Sequence, residues 1–253
     1  MATPRVRASE IQYQFTNGFA KTPVLHEAHE YVKMYKCILQ AGHAITLDLH
    51  NDRFEVFAFV KGTGAVILPH QSYSIPETES SYFIPNFDVE RVDLHAGSDL
   101  EFVLYETLHT EADKLAFHDT HMWLPYFRTQ SQLFRYDQAC KGPHTESYLV
   151  IPSRELGRVL MGITISEGEG CDEKGHPSVH QWNYMLPGTE ITCEVDGEVF
   201  PMSDGDFSFI YGGLDHSHIA APGKICNYIW FEWFVDPKSV TAHLIPQEYG
   251  KNK

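Results

Sequence analysis

The sequence predicts an all-β protein built from two similar small barrels of the jelly-roll type. The first observation is an internal repeat, because the chain aligns with itself without gaps at an offset of 126 residues. The second is the pattern within each copy, where short segments rich in β-branched and aromatic residues are separated by glycine-containing turns. The repeat keeps turn glycines, one histidine and one glutamate, namely Gly42 with Gly168, His50 with His176, Gly62 with Gly188, Gly97 with Gly223 and Glu106 with Glu232.

Predicted strands occur in both copies, at residues 35–39, 54–60, 65–68 and 100–105 in the first and at residues 191–195 and 198–202 in the second. The last two flank Asp196 and Gly197, a dipeptide suited to a tight type I′ hairpin turn because Gly adopts a positive φ at little cost. Residues 204–206 form a second turn of the Asp-Gly-Asp type. Many short strands with glycine turns are typical of sandwiches and barrels.

The pattern divides the chain into five parts, an N-terminal arm (1–30), an N-terminal barrel (31–107), a connector (108–147), a C-terminal barrel (148–236) and a C-terminal tail (237–253). The connector breaks the strand pattern and is predicted to be irregular and partly helical, with a helical turn at residues 111–117. The arm is either a loose segment or an additional strand on the opposite barrel.

Composition limits the partners that we expect. Lys and Arg number 19 against 34 Asp and Glu, which gives a formal net charge of −15. Such a surface would repel nucleic acid phosphates and anionic membranes. No secretion signal and no run of 18 apolar residues is present, so a cytoplasmic protein without a membrane span is expected.

The five cysteines indicate thiols rather than a disulfide framework. They are odd in number, lie far apart in sequence and form no Cys-x-x-Cys pair. Reduced and mostly buried side chains are therefore expected, and no chemistry is assigned to them.

Each copy carries two short polar motifs, one before its closing glycine (Gly62 or Gly188) and one further along the chain. Counting back from the closing glycine, the first copy presents Asp48, His50 and Glu55, and later Glu90 at the end of residues 85–90. The second copy presents Lys174, His176 and Gln181, and later His216 at the end of residues 211–216. These motifs resemble degraded forms of those of the cupin superfamily, His-x-His with a following Glu, and Pro-x-Gly-x-x-His.

The second copy is the better candidate for a metal site. A small barrel can point imidazoles and a carboxylate or amide inward from neighbouring strands and leave positions open for substrate. Residues that alternate inward with Glu55 are Phe57 and Phe59, whereas those that alternate with Gln181 are Asn183 and Met185. The first barrel is thus predicted to be filled with phenyl rings and the second to keep a polar pocket.

The candidate metal ligands are His176, His180, Gln181 and His216, of which His180 and Gln181 compete for one position. The candidate catalytic residues are Asn183 and Lys174. Lys174 stands where the motif has its first histidine and would contact a substrate carboxylate, although an exposed lysine at a strand end is the alternative.

In the first copy, Asp48, His50, Glu55 and Glu90 offer oxygen and nitrogen ligands for a hard cation. The nearby Arg53 and Arg91 favour ordinary ion pairs instead. Whether this barrel has a site of its own is left open by the sequence.

Among two-barrel cupins the chain resembles the (S)-ureidoglycine aminohydrolases, once called glyoxylate-induced proteins. The resemblance rests on the length, the doubled architecture, residues 53–62 in the first barrel, and residues 184–188 leading to 205–207 in the second. It implies manganese in the second barrel and release of ammonia from a small ureido acid. His180 matches the second histidine of that family by spacing, but Lys174 replaces its Glu and His216 replaces its distant Gln.

These features leave three hypotheses for function. The leading one is a metal-dependent hydrolase, lyase or isomerase that acts on a small polar, carboxylated metabolite, with manganese as the expected metal and iron, nickel or zinc as alternatives. The second is a non-heme iron dioxygenase of the cupin type. The third is a non-catalytic barrel scaffold or small-ligand-binding protein. A homodimer or larger homo-oligomer is expected by analogy with such barrels.

Overall fold

The structure is a computed structural model that describes residues 2–119, 122–176 and 179–236. In chain order, the strands in these ranges are β1 (Arg5–Val6), β2 (Phe19–Val24), β3 (Val32–Leu39), β4 (Ala44–Asp48), β5 (Arg53–Lys61), β6 (Gly64–Leu68), β7 (Gln71–Ile75), β8 (Ser81–Ile84), β9 (Arg91–Ala96), β10 (Leu100–Leu108), β11 (Tyr126–Thr129), β12 (Phe134–Tyr136), β13 (Glu146–Leu156), β14 (Val159–Glu167), β15 (Gly170–Glu173), β16 (Val179–Met185), β17 (Glu190–Val195), β18 (Glu198–Ser203), β19 (Phe207–Ile210), β20 (His216–Ile219) and β21 (Ile225–Phe234). One α-helix, α1 (Glu111–Asp119), and two short 3-10 turns (Ala8–Glu10 and Gln130–Gln132) complete the described elements. The predicted C-terminal tail lies outside the described residues.

The chain forms two compact units, and each is built from antiparallel strands in two sheets. The first unit comprises residues 9–111 and 122–132, with sheet orders β11-β8-β5-β10-β3-β2 and β4-β9-β6-β7. The second comprises residues 2–8, 112–119 and the described residues from 133 onward, with sheet orders β1-β19-β16-β21-β14-β13-β12 and β15-β20-β17-β18. Both units are β-sandwiches of the kind that the sequence predicts.

The 126-residue repeat is visible strand by strand. Shifted by 126, β8 coincides with β19, and β5 overlaps β16 over the whole described length of β16. The turn glycines that survive in both copies have a structural reason, because Gly62 and Gly188 both adopt a positive φ, of 90° and 83°. The predicted type I′ hairpin is confirmed, since Asp196 and Gly197 both have a positive φ and join β17 to β18.

The arm adds a strand to the opposite barrel, as one of the two alternatives predicts, and it also adds a strand to its own barrel, which neither alternative included. Residues 2–8 belong to the second unit, where β1 pairs with β19, while β2 pairs with β3 in the first unit. The connector contains the predicted helix as α1, but it also supplies β11 and β12, which the sequence pattern did not reveal. The described part of the chain contains no helix with the length and apolar character that a membrane crossing requires.

The cores of the two units differ in chemistry. Phe57 and Phe59 are buried in the first unit and lie against one another and against Phe102, as predicted. At the corresponding positions of the second unit, Asn183 and Met185 are both fully buried. The second core therefore includes amide groups that must be satisfied by neighbouring polar atoms.

Candidate metal centre

A small polar cavity lies inside the second unit. Its polar lining comes from strands β14, β15, β16 and β21, from the connector and from the segment after β15. It comprises Gln138, Lys141, Thr164, Glu173, His176, Gln181 and Glu232, together with the rings of Tyr136, Tyr228 and Trp230. The space open to the centre of a water molecule is about 20 Å³, which accommodates a water or an ion and little more. The cavity thus has room for one inorganic ion that carries few ligands other than those the protein supplies.

Glu173 is the centre of the polar cluster. Strand β15 ends at this residue and pairs it directly with His216 of β20, so both side chains point to the same face of the sheet. Glu173 Oε1 lies 3.0 Å from His176 Nε2, and Glu173 Oε2 lies 3.6 Å from His216 Nε2. One carboxylate therefore faces two imidazoles, and all three side chains are at least four-fifths buried.

His216 is oriented by its other ring nitrogen. Nδ1 lies 3.1 Å from the carbonyl oxygen of Leu214, which can only accept a hydrogen bond, so Nδ1 carries the hydrogen in the neutral ring. Nε2 then has its lone pair directed toward Glu173 Oε2, and it has no hydrogen-bond partner among the described residues. Two acceptors that face each other in a buried site require a proton or a metal cation between them.

The pKa values show how strongly these groups interact. The hydrogen bond to Glu173 raises the pKa of His176 to about 9. Burial by itself would raise the pKa of Glu173, but the two histidines outweigh it and hold that pKa well below its ordinary value. The cluster therefore favours an ionised carboxylate, which is the form that binds metal.

A second pair of polar side chains faces the same cavity from the neighbouring strands. Gln181 of β16 lies directly across from Glu232 of β21. The Gln181 amide nitrogen donates to Asn183 Oδ1 at 2.8 Å, which leaves Gln181 Oε1 buried with no hydrogen-bond partner among the described residues. Glu232 Oε2 is likewise buried without one, and burial raises the pKa of Glu232 to about 7.

Lys141 supplies the only described lysine side chain on the cavity wall. Its Nζ is buried, lies 4.0 Å from the centre of the Tyr136 ring and has no hydrogen-bond partner among the described residues. Burial lowers the pKa of this amine. A cation held against an aromatic face without a carboxylate partner is available to an anionic ligand.

Known proteins were compared with the chain at the levels of sequence and structure. No family model matches, and no curated protein matches by sequence. Solved structures do match. Oxalate decarboxylase from Bacillus subtilis is 13% identical with a TM-score of 0.70, over 94% of this chain and 78% of that one. Oxalate decarboxylase from Lactobacillus farciminis, in a formate complex, is 12% identical with a TM-score of 0.69, over 94% and 87%. The protein Ylba from E. coli, of DUF861, is 16% identical with a TM-score of 0.71, over 92% and 90%.

The chain has the two-barrel cupin fold. The fold class predicted from sequence is thereby confirmed. At these identities the similarity extends to the fold, and the chemistry of this bicupin depends on its own residues.

The bicupin structure brings together some of the residues that the sequence singled out. His176 and Gln181 line the cavity, and His216 reaches the same cluster through Glu173. Asn183 is fully buried on the inward face of β16, where it accepts from Gln181 and donates to Ser208 Oγ. It therefore orients Gln181 rather than lining the cavity.

Lys174 and His180 are placed elsewhere. Lys174 is 86% exposed and pairs with Asp215 at 2.7 Å, as in the alternative of an exposed lysine at a strand end. His180 lies on the opposite face of β16 from Gln181, where its Nδ1 accepts the backbone N–H of Gly212 and its ring contacts Phe209. Successive side chains of a strand point to opposite faces, so His180 and Gln181 cannot both face the cavity. Of these two candidates for one ligand position, Gln181 is the one that lines it.

Sequence reasoning did not select Glu173, Glu232 and Lys141. The signal for Glu232 was present, because it is one of the few residues that the repeat keeps, as Glu106. Lys141 belongs to the connector and reaches the cavity through an isolated backbone bridge to Cys171, which no local pattern indicates.

Three of the four motif residues of the first barrel contact an arginine or one another. Asp48 pairs with Arg91 at the surface, and His50 contacts the buried Glu55 through its side chain at 3.1 Å. Glu90 lies with Asp48 and His50 beside an open surface depression. The Asp48–Arg91 contact is an ion pair of the kind that we predicted from the sequence in preference to a bound cation.

Proposed function

We propose that the second barrel of this bicupin is the metal centre of an enzyme that acts on a small polar, carboxylated metabolite by hydrolysis, elimination or isomerisation. The observation that carries the proposal is the pair of buried acceptors, Glu173 Oε2 and His216 Nε2, that face each other at 3.6 Å. A divalent cation between them would satisfy both atoms.

The residues fit such a metal. Glu173, His176 and His216 offer one carboxylate and two imidazole nitrogens, and Gln181 Oε1 is a fourth donor without a partner. Mixed oxygen and imidazole ligands suit manganese, iron, nickel and zinc. We favour manganese, because a solved structure of B. subtilis oxalate decarboxylase is described by its Mn(II) centres and shares this fold.

When bound, the cation would polarise a substrate carbonyl or lower the pKa of a water. The chain's own residues would supply the remaining functions. Burial raises the pKa of Glu232 to about 7, so this carboxyl would exchange a proton near neutral pH and act as the general acid or base. Lys141 would hold a substrate carboxylate in the same cavity.

The repeat supports a specialised role for Glu232. In the first barrel the equivalent Glu106 accepts from Lys21 at 2.7 Å and from Arg53 at 3.2 Å. The positions that correspond to those cations in the second barrel are Ser147 and Val179. The same carboxylate is thus neutralised by cations in one barrel and left as a proton carrier in the other.

The size and charge of the cavity narrow the substrate class. A space of about 20 Å³ holds a water or an ion, so the cavity would have to expand to admit a substrate, and a modest expansion favours a small one. Oxalate, named for two of the similar structures, and the small ureido acid implied by the sequence resemblance both carry a carboxylate for Lys141. These two compounds are therefore the first substrates to test.

Metal analysis of the purified protein tests the proposal. We expect one equivalent of divalent metal in the wild type, and its loss in His216→Ala and Glu173→Gln. Lys174→Ala is the control, because that side chain is exposed and lies outside the cluster, and it should retain the metal. Absence of metal from the wild type, even after dialysis against manganese, would overturn the metal centre and leave a non-catalytic scaffold.

One observation also favours an oxygen-dependent reaction. Two histidines and one carboxylate with open positions form the ligand set of non-heme iron oxygenases, and His176, His216 and Glu173 would offer the same three groups. Protein reconstituted anaerobically with ferrous iron would then consume oxygen when a substrate is added. Turnover with manganese at the same rate in the absence of oxygen would rule this alternative out.

A further inference from the structure

Two cysteines that are 31 residues apart in sequence meet beside the cavity. Cys140 Sγ lies 3.3 Å from Cys171 Sγ, within the reach of a covalent bond after a small side-chain rotation. Their backbones are already fixed to each other, because Asp172 N–H donates to the Cys140 carbonyl at 2.9 Å and Gly142 N–H donates to the Gly170 carbonyl at 3.0 Å. Bond formation would therefore need little movement of either segment.

We propose that Cys140 and Cys171 form a reversible disulfide that responds to oxidants. Cys140 is partly exposed, whereas Cys37, Cys193 and Cys226 are fully buried, so Cys140 is the thiol that an oxidant reaches first. Hydrogen peroxide would oxidise Cys140 to a sulfenic acid and release one water. Cys171 sulfur would then attack that sulfur, forming the disulfide and releasing the second water, so that two thiols are oxidised as one peroxide is reduced.

The disulfide would act on the metal centre through Glu173. In the reduced protein the Cys171 thiol lies 3.9 Å from Glu173 Oε2, where its hydrogen is a weak donor to the carboxylate. Oxidation removes that hydrogen and ties Cys171 to the segment that carries Lys141. The oxidised form would therefore leave Glu173 Oε2 freer for a cation, and this consequence rests on the proposed function.

Thiol counting tests the disulfide independently of any metal. Metal-free protein is treated with hydrogen peroxide, quenched, denatured and alkylated. We expect the wild type to lose two of its five thiols, with a peptide that links positions 140 and 171 and full recovery after dithiothreitol. Cys140→Ser should lose none. Cys226→Ala, a buried thiol of the same unit, is the matched control and should still lose two.

Three outcomes would overturn the proposal. They are a wild type that keeps all five thiols, a linkage that does not join positions 140 and 171, and blocked thiols that a chelator rather than dithiothreitol releases. The last would mean that the sulfurs hold a metal, since both lie within 4.8 Å of a Glu173 oxygen. Cys140→Ser keeps the test decisive if changes at the buried Cys171 impair folding.

Manganese titration of the reduced and oxidised proteins then tests the coupling. A several-fold tighter affinity in the oxidised form supports it, and equal or weaker affinity overturns it. If neither form binds manganese, iron, nickel or zinc, the proposed function fails while the disulfide stands on the thiol counts alone.

Discussion

Replacing Glu232 by Gln should stabilise the metal-free protein at alkaline pH, which is unusual for a change at a buried charged residue. Glu232 is fully buried, Oε2 has no hydrogen-bond partner among the described residues, and burial raises its pKa from 4.5 to about 7. Each pKa unit corresponds to about 1.4 kcal/mol, so ionising Glu232 in the folded state costs about 3 kcal/mol relative to the unfolded chain. Gln has the same shape and no charge to bury.

The sign of the pH dependence follows from the raised pKa. Below pH 4.5 the carboxyl is protonated in both states and the variant should match the wild type. Between pH 4.5 and 7 only the unfolded chain loses the proton, so the wild type loses stability progressively. Above pH 7 the full difference of about 3 kcal/mol should favour Glu232→Gln.

Urea unfolding in the presence of a chelator, at pH 5 and pH 8, measures this difference. The matched control is Glu106→Gln, the equivalent position of the first barrel. There the carboxylate accepts from Lys21 and Arg53, so its loss should destabilise the protein by about 1–2 kcal/mol at pH 8. Equal destabilisation by both variants at pH 8 would refute the argument that Glu232, unlike Glu106, has no ion-pair contact among the described residues.

Three further substitutions test the packing of the barrels, each by urea unfolding. Asp113→Ala should cost about 3–5 kcal/mol, because it leaves Arg158, whose side chain is 8% exposed, buried without its bidentate carboxylate partner. A cost below 1 kcal/mol would show that water reaches the guanidinium. Gly62→Ala and Gly188→Ala both strain a positive φ, and the second should cost about 1–2 kcal/mol. Gly62→Ala should cost at least about 3 kcal/mol, because its Cβ would also collide with a backbone carbonyl, and equal costs would contradict this.

The fold could be predicted from local rules because the repeat and the turn chemistry agree. Asp196 and Gly197 favour a type I′ hairpin, and the phenyl rings of Phe57 and Phe59 favour an interior without water. Neither inference needs knowledge of distant contacts. Sequence also predicted polar groups inside the second barrel through Asn183, whose buried amide oxygen accepts a hydrogen bond from Gln181.

The candidate site was predicted less completely. Successive side chains of a strand point to opposite faces, so an error of one residue in placing a motif selects a side chain on the wrong face. The motif spacing selected Lys174, but β15 ends at Glu173, which faces inward, and Lys174 turns to solvent. Lys141 presents a different difficulty, because its position is set by pairing with a strand that lies 30 residues further along the chain. Such a contact has no local signal, since it depends on how the tertiary structure closes.

The second unit is not a continuous piece of sequence, and this decides how it can be studied alone. A fragment cut at the repeat boundary would lack β1, which covers the edge of β19, and would expose that edge to pairing with other chains. It would also lack Asp113 and leave Arg158 without its partner. A separable second barrel would therefore need residues 2–8 grafted by a linker and the helix α1 retained, and a simple truncation should aggregate rather than report on the candidate site.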